Sequence, residues 1–442
     1  MMTTEIKAFR EWNNEYELVG CLVFDLGETQ FRYDEGYVAS NESAPISESL
    51  PFPIFPNEDL FPRKQFHLVG YSQPTNFFKG LLPEEEIKKE YEHRFHSSAD
   101  SLITRLNNES VGALVFGNDP IKMRESRSYE ILPEQKLRDF SKQSRSIAVE
   151  LGSVSRLSLA GAQSKIGLHR TIDNQGITQW LLPKGSAPST VIVKAGTFFD
   201  ENTPNTVLNE ALCMKVAEKC DFKTAKVEVI DLADSEPILA IERFDREGVE
   251  NDFPTRLHQE DFCQALGLKP DNKYEPTDGN YINKICNLIN RVSENPFDDR
   301  ILFFQELLFD FLIGNCDNHL KNYSIIWTSD WKRRKLSPLY DQTCTTIYPL
   351  DREMGISLCP SGKIDDVTPG DIDNSAKQAG VSKKIAWTLF DDLTDSLEEV
   401  WDSALNEVIE QCSSEKVISD LEATSKIIWA DVQKRLKLKR TI

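Results

Sequence analysis

Asn315-Cys316-Asp317-Asn318-His319-Leu320-Lys321-Asn322 and, further on, Leu339-Tyr340-Asp341 decide how this chain folds. An Asp is followed by an Asn five positions later and by a second Asp 19 positions beyond that. Phosphoryl transfer of the protein-kinase type needs such parts in this order. One carboxylate orients an acceptor hydroxyl and takes its proton, while an amide and a second carboxylate hold magnesium against the nucleotide. Directly upstream runs an apolar, helix-like stretch from Ile301-Leu302-Phe303-Phe304 to Phe311-Leu312-Ile313. Gly314-Asn315 reads as its C-terminal stop, since glycine readily takes the left-handed conformation at a helix end. The polar cluster is therefore expected on a loop anchored by a buried helix.

On this reading Asp317 is the candidate base, and Asn322 and Asp341 are candidate magnesium ligands. Hard oxygen donors suit that ion, and phosphates and water complete its octahedron. Lys321 is expected to lie beside the transferred phosphate, and His319 reads as structural. Upstream, Thr190-Val191-Ile192-Val193-Lys194 is a β-branched strand that ends on a lysine, a pattern suited to aiming a cation at the nucleotide phosphates. Glu210, on the next helix, is positioned to pair with Lys194. The small-residue turn Gly161-Ala162-Gln163-Ser164-Lys165 is not a GxGxxG loop, but its backbone N–H groups are candidates for phosphate contact, with Lys165 adding charge. Glu242-Arg243-Phe244 then reads as a hinge whose main chain faces an adenine edge, and Asp245 as an acceptor from the ribose.

The rest of the pattern is β-rich first and helical later. Leu18–Asp25, Phe31–Tyr33, 111–116, Val227–Ile230 and Ile238–Glu242 read as strands, and a helix starts near Leu82-Pro83-Glu84. From about residue 256 the character is mostly helical. The fold class expected is α+β: a two-lobed, protein-kinase-like fold with a β-rich N-terminal lobe, an added N-terminal subdomain and an α-helical C-terminal lobe. The boundaries expected are 1–120 for the subdomain, 121–246 for the N-lobe and 247–442 for the C-lobe.

The bulk numbers fit this picture. A chain of 442 residues, 40% hydrophobic and 28% charged, has the composition of a globular protein with two or three domains. No apolar run reaches membrane-spanning length, and the N-terminus lacks the apolar core of a signal peptide. Nine scattered cysteines without a CxxC pair suit a reducing, cytoplasmic setting. A net charge of −20 argues against direct, sequence-independent binding to nucleic acid. The Lys- and Arg-bearing segments at 122–145 and 434–440 read as solvated helix faces.

At this point the chain resembles the HipA family of serine/threonine kinase toxins. The resemblance is carried by Glu242-Arg243-Phe244-Asp245-Arg246, by Arg256-Leu257-His258-Gln259-Glu260-Asp261-Phe262 with Lys273-Tyr274-Glu275, and by Phe311–Asn322 and Leu336–Asp341. Phe77-Phe78-Lys79-Gly80-Leu81-Leu82-Pro83 and Val111-Gly112-Ala113-Leu114 resemble the family's N-terminal subdomain. The resemblance implies ATP and Mg2+ as cofactors and protein serine or threonine as acceptor. It also implies an aminoacyl-tRNA synthetase, of the glutamyl-tRNA synthetase type, as a target whose modification arrests translation and growth, giving dormancy and drug tolerance. It further implies a HipB-type helix-turn-helix antitoxin as partner, with operator DNA contacted through that antitoxin for repression of the operon. Ser158 matches the family's autophosphorylated serine, where a phosphate would expel the loop from the nucleotide site. The chain departs from the family pattern at Ser164, where an acidic residue often precedes the lysine, which makes Ser164 a second candidate phosphosite. Two other readings stay open: a small-molecule or lipid kinase, and a pseudokinase corepressor acting beside a DNA-binding partner.

Overall fold

The computed structural model describes residues 4–12, 15–25, 28–52, 76–83, 85–95, 102, 111–155, 163–173, 175–196, 203–232, 234–250 and 253–438. Strands β1 (Thr4–Trp12), β2 (Glu15–Asp25), β3 (Glu28–Tyr33) and β4 (Leu114–Gly117) make an antiparallel sheet in the order β3-β2-β1-β4. Helices α1 (Glu35–Ala39), α2 (Asn76–Lys79) and α3 (Glu85–Phe95) fall between β3 and β4 in the chain. Val19, Leu22, Phe31, Phe77, Phe78 and Phe116 are buried there, with the rings of Phe31 and Phe78 4.8 Å apart.

The second sheet has six antiparallel strands. Helix α4 (Pro120–Glu125), β5 (Ser128–Ile131), α5 (Glu134–Lys142) and α6 (Ser144–Ser155) lead into β6 (Lys165–Ile172), β7 (Thr178–Lys184) and β8 (Val191–Lys194). Helix α7 (Thr206–Lys219), β9 (Val227–Ile230) and β10 (Ile238–Glu242) follow, and the strand order is β5-β7-β6-β8-β10-β9. Side chains alternate across a strand, and the cores on the two faces follow that period. Ile238 and Ala240 join Val191, Val193, Leu137, Phe140 and Leu151 on one face, while Leu239 and Ile241 join α7 and the main core on the other. By the same parity Lys194 falls two residues beyond Ile192, which packs on the α7 side. Helix α7 buries nearly all its faces, so Glu210 is held rigidly.

A hairpin, β11 (Arg246–Glu250) and β12 (Phe253–Arg256), leads to the C-terminal half. Helices α8 (Phe262–Ala265), α9 (Tyr281–Val292), α10 (Pro296–Ile313), α11 (Pro369–Ala379), α12 (Lys383–Ile409) and α13 (Glu415–Arg435) dominate it, as the sequence pattern predicts. The structure adds a small antiparallel sheet of β13 (Gln259–Asp261), β14 (Ser324–Trp327) and β15 (Arg334–Leu336) that the pattern does not announce. Its strands have three or four residues each, too few for a period to register. Helix α10 is the central beam: Phe303, Phe304, Leu307, Leu308, Phe309, Leu312 and Ile313 are fully buried. It ends at Gly314, whose φ of 80° is left-handed and whose N–H returns to the carbonyl oxygens of Asp310 and Phe311.

Candidate active site

The loop after α10 is built on buried amides. Asn315 is fully buried: its N–H donates to the Asp310 carbonyl (2.8 Å), its Nδ2 donates to the Asp310 carboxylate (2.7 Å), and its Oδ1 accepts from the Asp317 N–H (3.0 Å). Tyr323 donates its hydroxyl to the other Asp310 oxygen. Burial pushes the Asp310 carboxyl up to about 7 against the pull of these donors. Asn318 pairs with both main-chain groups of Ile356, at 3.3 Å each, and the Cys316 N–H donates to the Thr345 hydroxyl (2.7 Å). Asn322 Nδ2 donates to the Asp317 carbonyl (2.8 Å), which closes the loop on itself.

Asp341 reaches the same region from the other side. Its φ of 60° lies in the left-handed region, uncommon for a residue with a side chain. Neighbouring contacts fix that conformation. The Leu339 N–H donates to Lys223 O and the Ala225 N–H to Leu339 O, both at 2.8 Å, and the Tyr340 hydroxyl donates to Lys321 O (2.8 Å). Lys194 Nζ lies 2.7 Å from Glu210 Oε1 and also donates to Asp341 Oδ1. Lys194 and Glu210 are 4% and 1% exposed, so this triad sits in a low dielectric. Burial disfavours the ammonium, but Asp341 and Glu210 outweigh it and hold Lys194 above its ordinary value. Burial likewise opposes the Asp341 charge, yet Lys194 and Lys165 keep its carboxyl below the usual range.

Most of the expected site residues converge. Lys194, Glu210, Asp341 and Lys165 share one electrostatic cluster, and the Tyr340 bond ties it to the loop of Asp317 and Asn322. Gln163 Nε2 donates to Gly196 O (3.4 Å) and Ser164 O accepts from the Ala195 N–H (3.2 Å), so the end of the small-residue turn lies beside the Lys194 strand. Ser164 is buried. Ser158, Gly161 and Ala162 lie outside the described residues. Phe244 packs its ring on Tyr340, 5.5 Å between centroids, next to Asp341. His319 is buried and packs its ring edge-on against Tyr274.

Two expectations are corrected, and a third is narrowed to the main-chain groups around Phe244. Lys321 is buried and its ammonium is tied to Asp261 (2.9 Å) and to Gly80 O (3.1 Å), so it braces the loop against the N-terminal subdomain instead of facing a phosphate. Asp245 is 2% exposed and accepts from Arg243, from Gln259 and from the Gly112 N–H, so it is buried in an internal network and not presented to a ribose. Burial would raise its carboxyl, but Arg243 and Arg246 hold it well below the usual range. At the expected hinge, the Glu242 N–H donates to Lys226 O (2.8 Å) and the Arg243 N–H to Thr190 O (2.9 Å). Those two donors are closed within the protein, and the exposed Glu242 carboxylate pairs with Arg170 (2.9 Å).

The sequence pattern assigns no role to Tyr274, which stands in the Lys273-Tyr274-Glu275 block. Tyr274 is 43% exposed, and its hydroxyl donates to Asp317 Oδ1 (2.5 Å). Asn209 was also missed. It is fully buried on α7 and joins both main-chain groups of Cys344, at 2.9 Å each, so α7 pins the segment after Asp341. Its place directly before Glu210, on the same helix, was the available signal.

The donor set fits a magnesium–nucleotide group. Asn322 commits its Nδ2 to Asp317, which leaves the amide oxygen as the end for a cation, and Asp341 supplies a carboxylate kept ionised. Lys194 is a buried cation whose position is fixed by Glu210.

A β-rich lobe carrying a lysine–glutamate pair, set on a helical lobe carrying this loop, is a protein-kinase-like α+β architecture. Comparison with known proteins agrees. The HipA-like C-terminal domain matches residues 157–401, and the HipA N-terminal domain matches residues 12–117. Y4mE of Sinorhizobium fredii, whose name marks it as a candidate kinase, is 31% identical over 391 residues, covering 84% of this chain and 86% of that one. The serine/threonine-protein kinase toxin HipA of Shewanella oneidensis is 29% identical over 222 residues, 48% of each chain. A solved structure of the Shewanella oneidensis toxin–antitoxin complex of HipA, HipB and operator DNA aligns with a TM-score of 0.76 at 20% identity over 97% of each chain. The chain belongs to the HipA family.

Proposed function

We propose that this protein is an ATP- and Mg2+-dependent serine/threonine-protein kinase acting as the toxin of a toxin–antitoxin pair. The observation that carries the reading is Lys194 locked between Glu210 and Asp341, with the neighbouring Tyr340 hydroxyl bonded to the loop of Asp317 and Asn322. Bound Mg2+·ATP would supply the transferable phosphoryl group and neutralise its developing charge. Asn322 and Asp341 would hold the metal, and Lys194 would hold the α- and β-phosphates. Asp317 would orient the acceptor hydroxyl and accept its proton at a carboxylate oxygen. Nearly all the rate in such chemistry comes from positioning and fixed charge, and the buried amides around Asp317 provide that rigidity.

By analogy with its relatives, a HipB-type antitoxin would restrain the protein and carry it to operator DNA, in keeping with a net charge of −20. An aminoacyl-tRNA synthetase of the glutamyl type is the proposed target, and Ser158 the proposed self-phosphorylation site that switches the enzyme off.

The test is mass spectrometry after incubation with ATP and Mg2+, alone and with purified glutamyl-tRNA synthetase. Phosphate on the synthetase and on Ser158 is expected. Asp317→Ala and Asp341→Ala are each expected to lose at least about a thousandfold in turnover while keeping the circular dichroism of the parent. Growth arrest that survives both substitutions would favour a non-catalytic corepressor, and transfer only to metabolites or lipids would move the acceptor class.

A further inference from the structure

A cavity of about 750 Å3 opens on the helical half, walled by the loop that enters α9, the segment 353–362 and α11. Two of these walls are the backing of the candidate catalytic loop. The Gly355 N–H donates to Cys316 O (2.9 Å), the Glu275 N–H to Gly355 O (2.8 Å) and the Leu320 N–H to Lys273 O (3.1 Å). The fit at Gly355 is so close that a Cβ there would stand 2.7 Å from the His319 nitrogen. Tyr274, whose hydroxyl meets Asp317, immediately precedes Glu275 on the cavity wall. The cavity thus shares its wall with the backing of the candidate catalytic loop and begins one residue along the chain from Tyr274.

Its charge is one-sided. Glu275, Asp278, Glu353 and Asp371 line it, against Lys377 alone among cations. Two of these carboxylates have structural duties: Glu275 accepts from the Tyr281 and Ser357 N–H groups at 2.7 and 2.8 Å, and Asp371 caps α11 through Thr368. Asp278 and Glu353 are exposed, and among the described residues neither carboxylate has a hydrogen bond or ion pair that would neutralise it. The volume is that of a site for several side chains, and its sign rejects anions.

We propose that this cavity docks a lysine- or arginine-bearing segment of the protein that supplies the acceptor hydroxyl, setting substrate choice beside the reacting serine or threonine. The proposal rests on the phosphoryl-transfer reading above.

The experiment uses the full chain and two fluorescent serine peptides, one flanked by lysines and one by glutamates. Anisotropy reads binding, and transfer from ATP with Mg2+ reads KM. The lysine peptide is expected to bind more tightly, with affinity that falls as salt rises. The pair Asp278→Lys, Glu353→Lys is expected to raise its Kd and KM by about tenfold or more and to erase the preference over the glutamate peptide. The near-isosteric pair Asp278→Asn, Glu353→Gln is expected to give an intermediate loss, and it keeps the test decisive if charge reversal harms folding. Asp391→Lys with Asp392→Lys, on the exposed face of α12, controls for the overall field of an acidic protein and should leave both constants unchanged. Should the cavity variants and the wild type share one KM for the lysine peptide, the docking proposal is wrong and the kinase reading stands. Should the wild type transfer phosphate to no hydroxyl while cavity-dependent binding persists, the kinase reading fails and the docked segment is not an acceptor's.

Discussion

Lys194 is buried between two carboxylates, and its removal should be felt in stability as well as in any transfer activity. Lys194→Met would leave Glu210 and Asp341 facing each other without their shared cation. Deleting one member of a buried charge set typically costs about 3–5 kcal/mol, although Glu210, already pushed upward by burial, can relieve part of this by taking a proton. Urea denaturation should therefore show a loss of roughly 3 kcal/mol, with a good part regained in Lys194→Met, Glu210→Gln. A variant as stable as the parent would mean that the triad is not closed in solution. Tyr274 calls for a different experiment. Its hydroxyl occupies Asp317 Oδ1, one of the two oxygens that would receive the acceptor hydroxyl under the proposed mechanism, so it would compete with substrate there. Tyr274→Phe removes that competitor at an exposed position. A hydrogen bond of about 1 kcal/mol corresponds to an acceptor KM lowered roughly fivefold with kcat little changed. An unchanged KM would show that Tyr274 already stands aside in the working enzyme.

At the scale of elements, the turn from α10 into the loop is the critical joint. An ideal Cβ on Gly314 would lie 2.2 Å from Thr346 Oγ1 and 2.5 Å from Arg435 Nη2, at a φ of 80°. Gly314→Ala thus combines left-handed strain of about 1–2 kcal/mol with overpacking of about 1–3 kcal/mol. A stability loss of roughly 2–5 kcal/mol, read by denaturant midpoint, should accompany a drop in transfer rate, since Asn315 and Asp317 shift with the joint. This joint was legible in advance because an apolar run stopped by Gly-Asn has a local physical meaning. So were β8, β9 and β10, whose β-branched residues alternate between two cores. Lys321 and Asp245 were misassigned for the converse reason. Proximity to a motif does not say which way a side chain turns, and their partners Gly80 and Gly112 lie in another part of the chain. Tyr274 had no periodicity to expose it, since it belongs to a loop whose fold depends on Gly355 and Ser357 far downstream.

Across the whole molecule, the N-terminal subdomain is joined to the kinase-like body by buried polar contacts. Arg256 pairs with Glu11 (3.0 Å), His258 Nε2 meets Ile46 O (2.7 Å), and Glu260 accepts from the Ser47 hydroxyl (2.5 Å) and the Glu48 N–H (3.1 Å). Several residues that carry the family resemblance thus serve this seam and not the candidate catalytic loop. The seam should respond to pH. Burial pushes the Glu260 carboxyl up to about 8, despite the donors from Ser47 and Glu48, and pushes His258 down to about 4. An acid with a raised folded value adds stability that is complete below its unfolded value near 4.5 and is lost as pH rises through about 8. A histidine with a lowered folded value has the opposite sign: its contribution is present above 6.5 and lost as pH falls through about 4. The two oppose each other in mild acid, but above 6.5 the histidine contributes no further slope. Asp310, raised to about 7, adds to the decline in the same direction as Glu260. Unfolding free energy measured by urea should therefore fall between pH 6.5 and pH 8.5, and Glu260→Gln, which mimics the protonated acid, should reduce that slope without abolishing it because Asp310 remains. Parallel slopes for the two proteins would place Glu260 in contact with solvent and open the seam at that point.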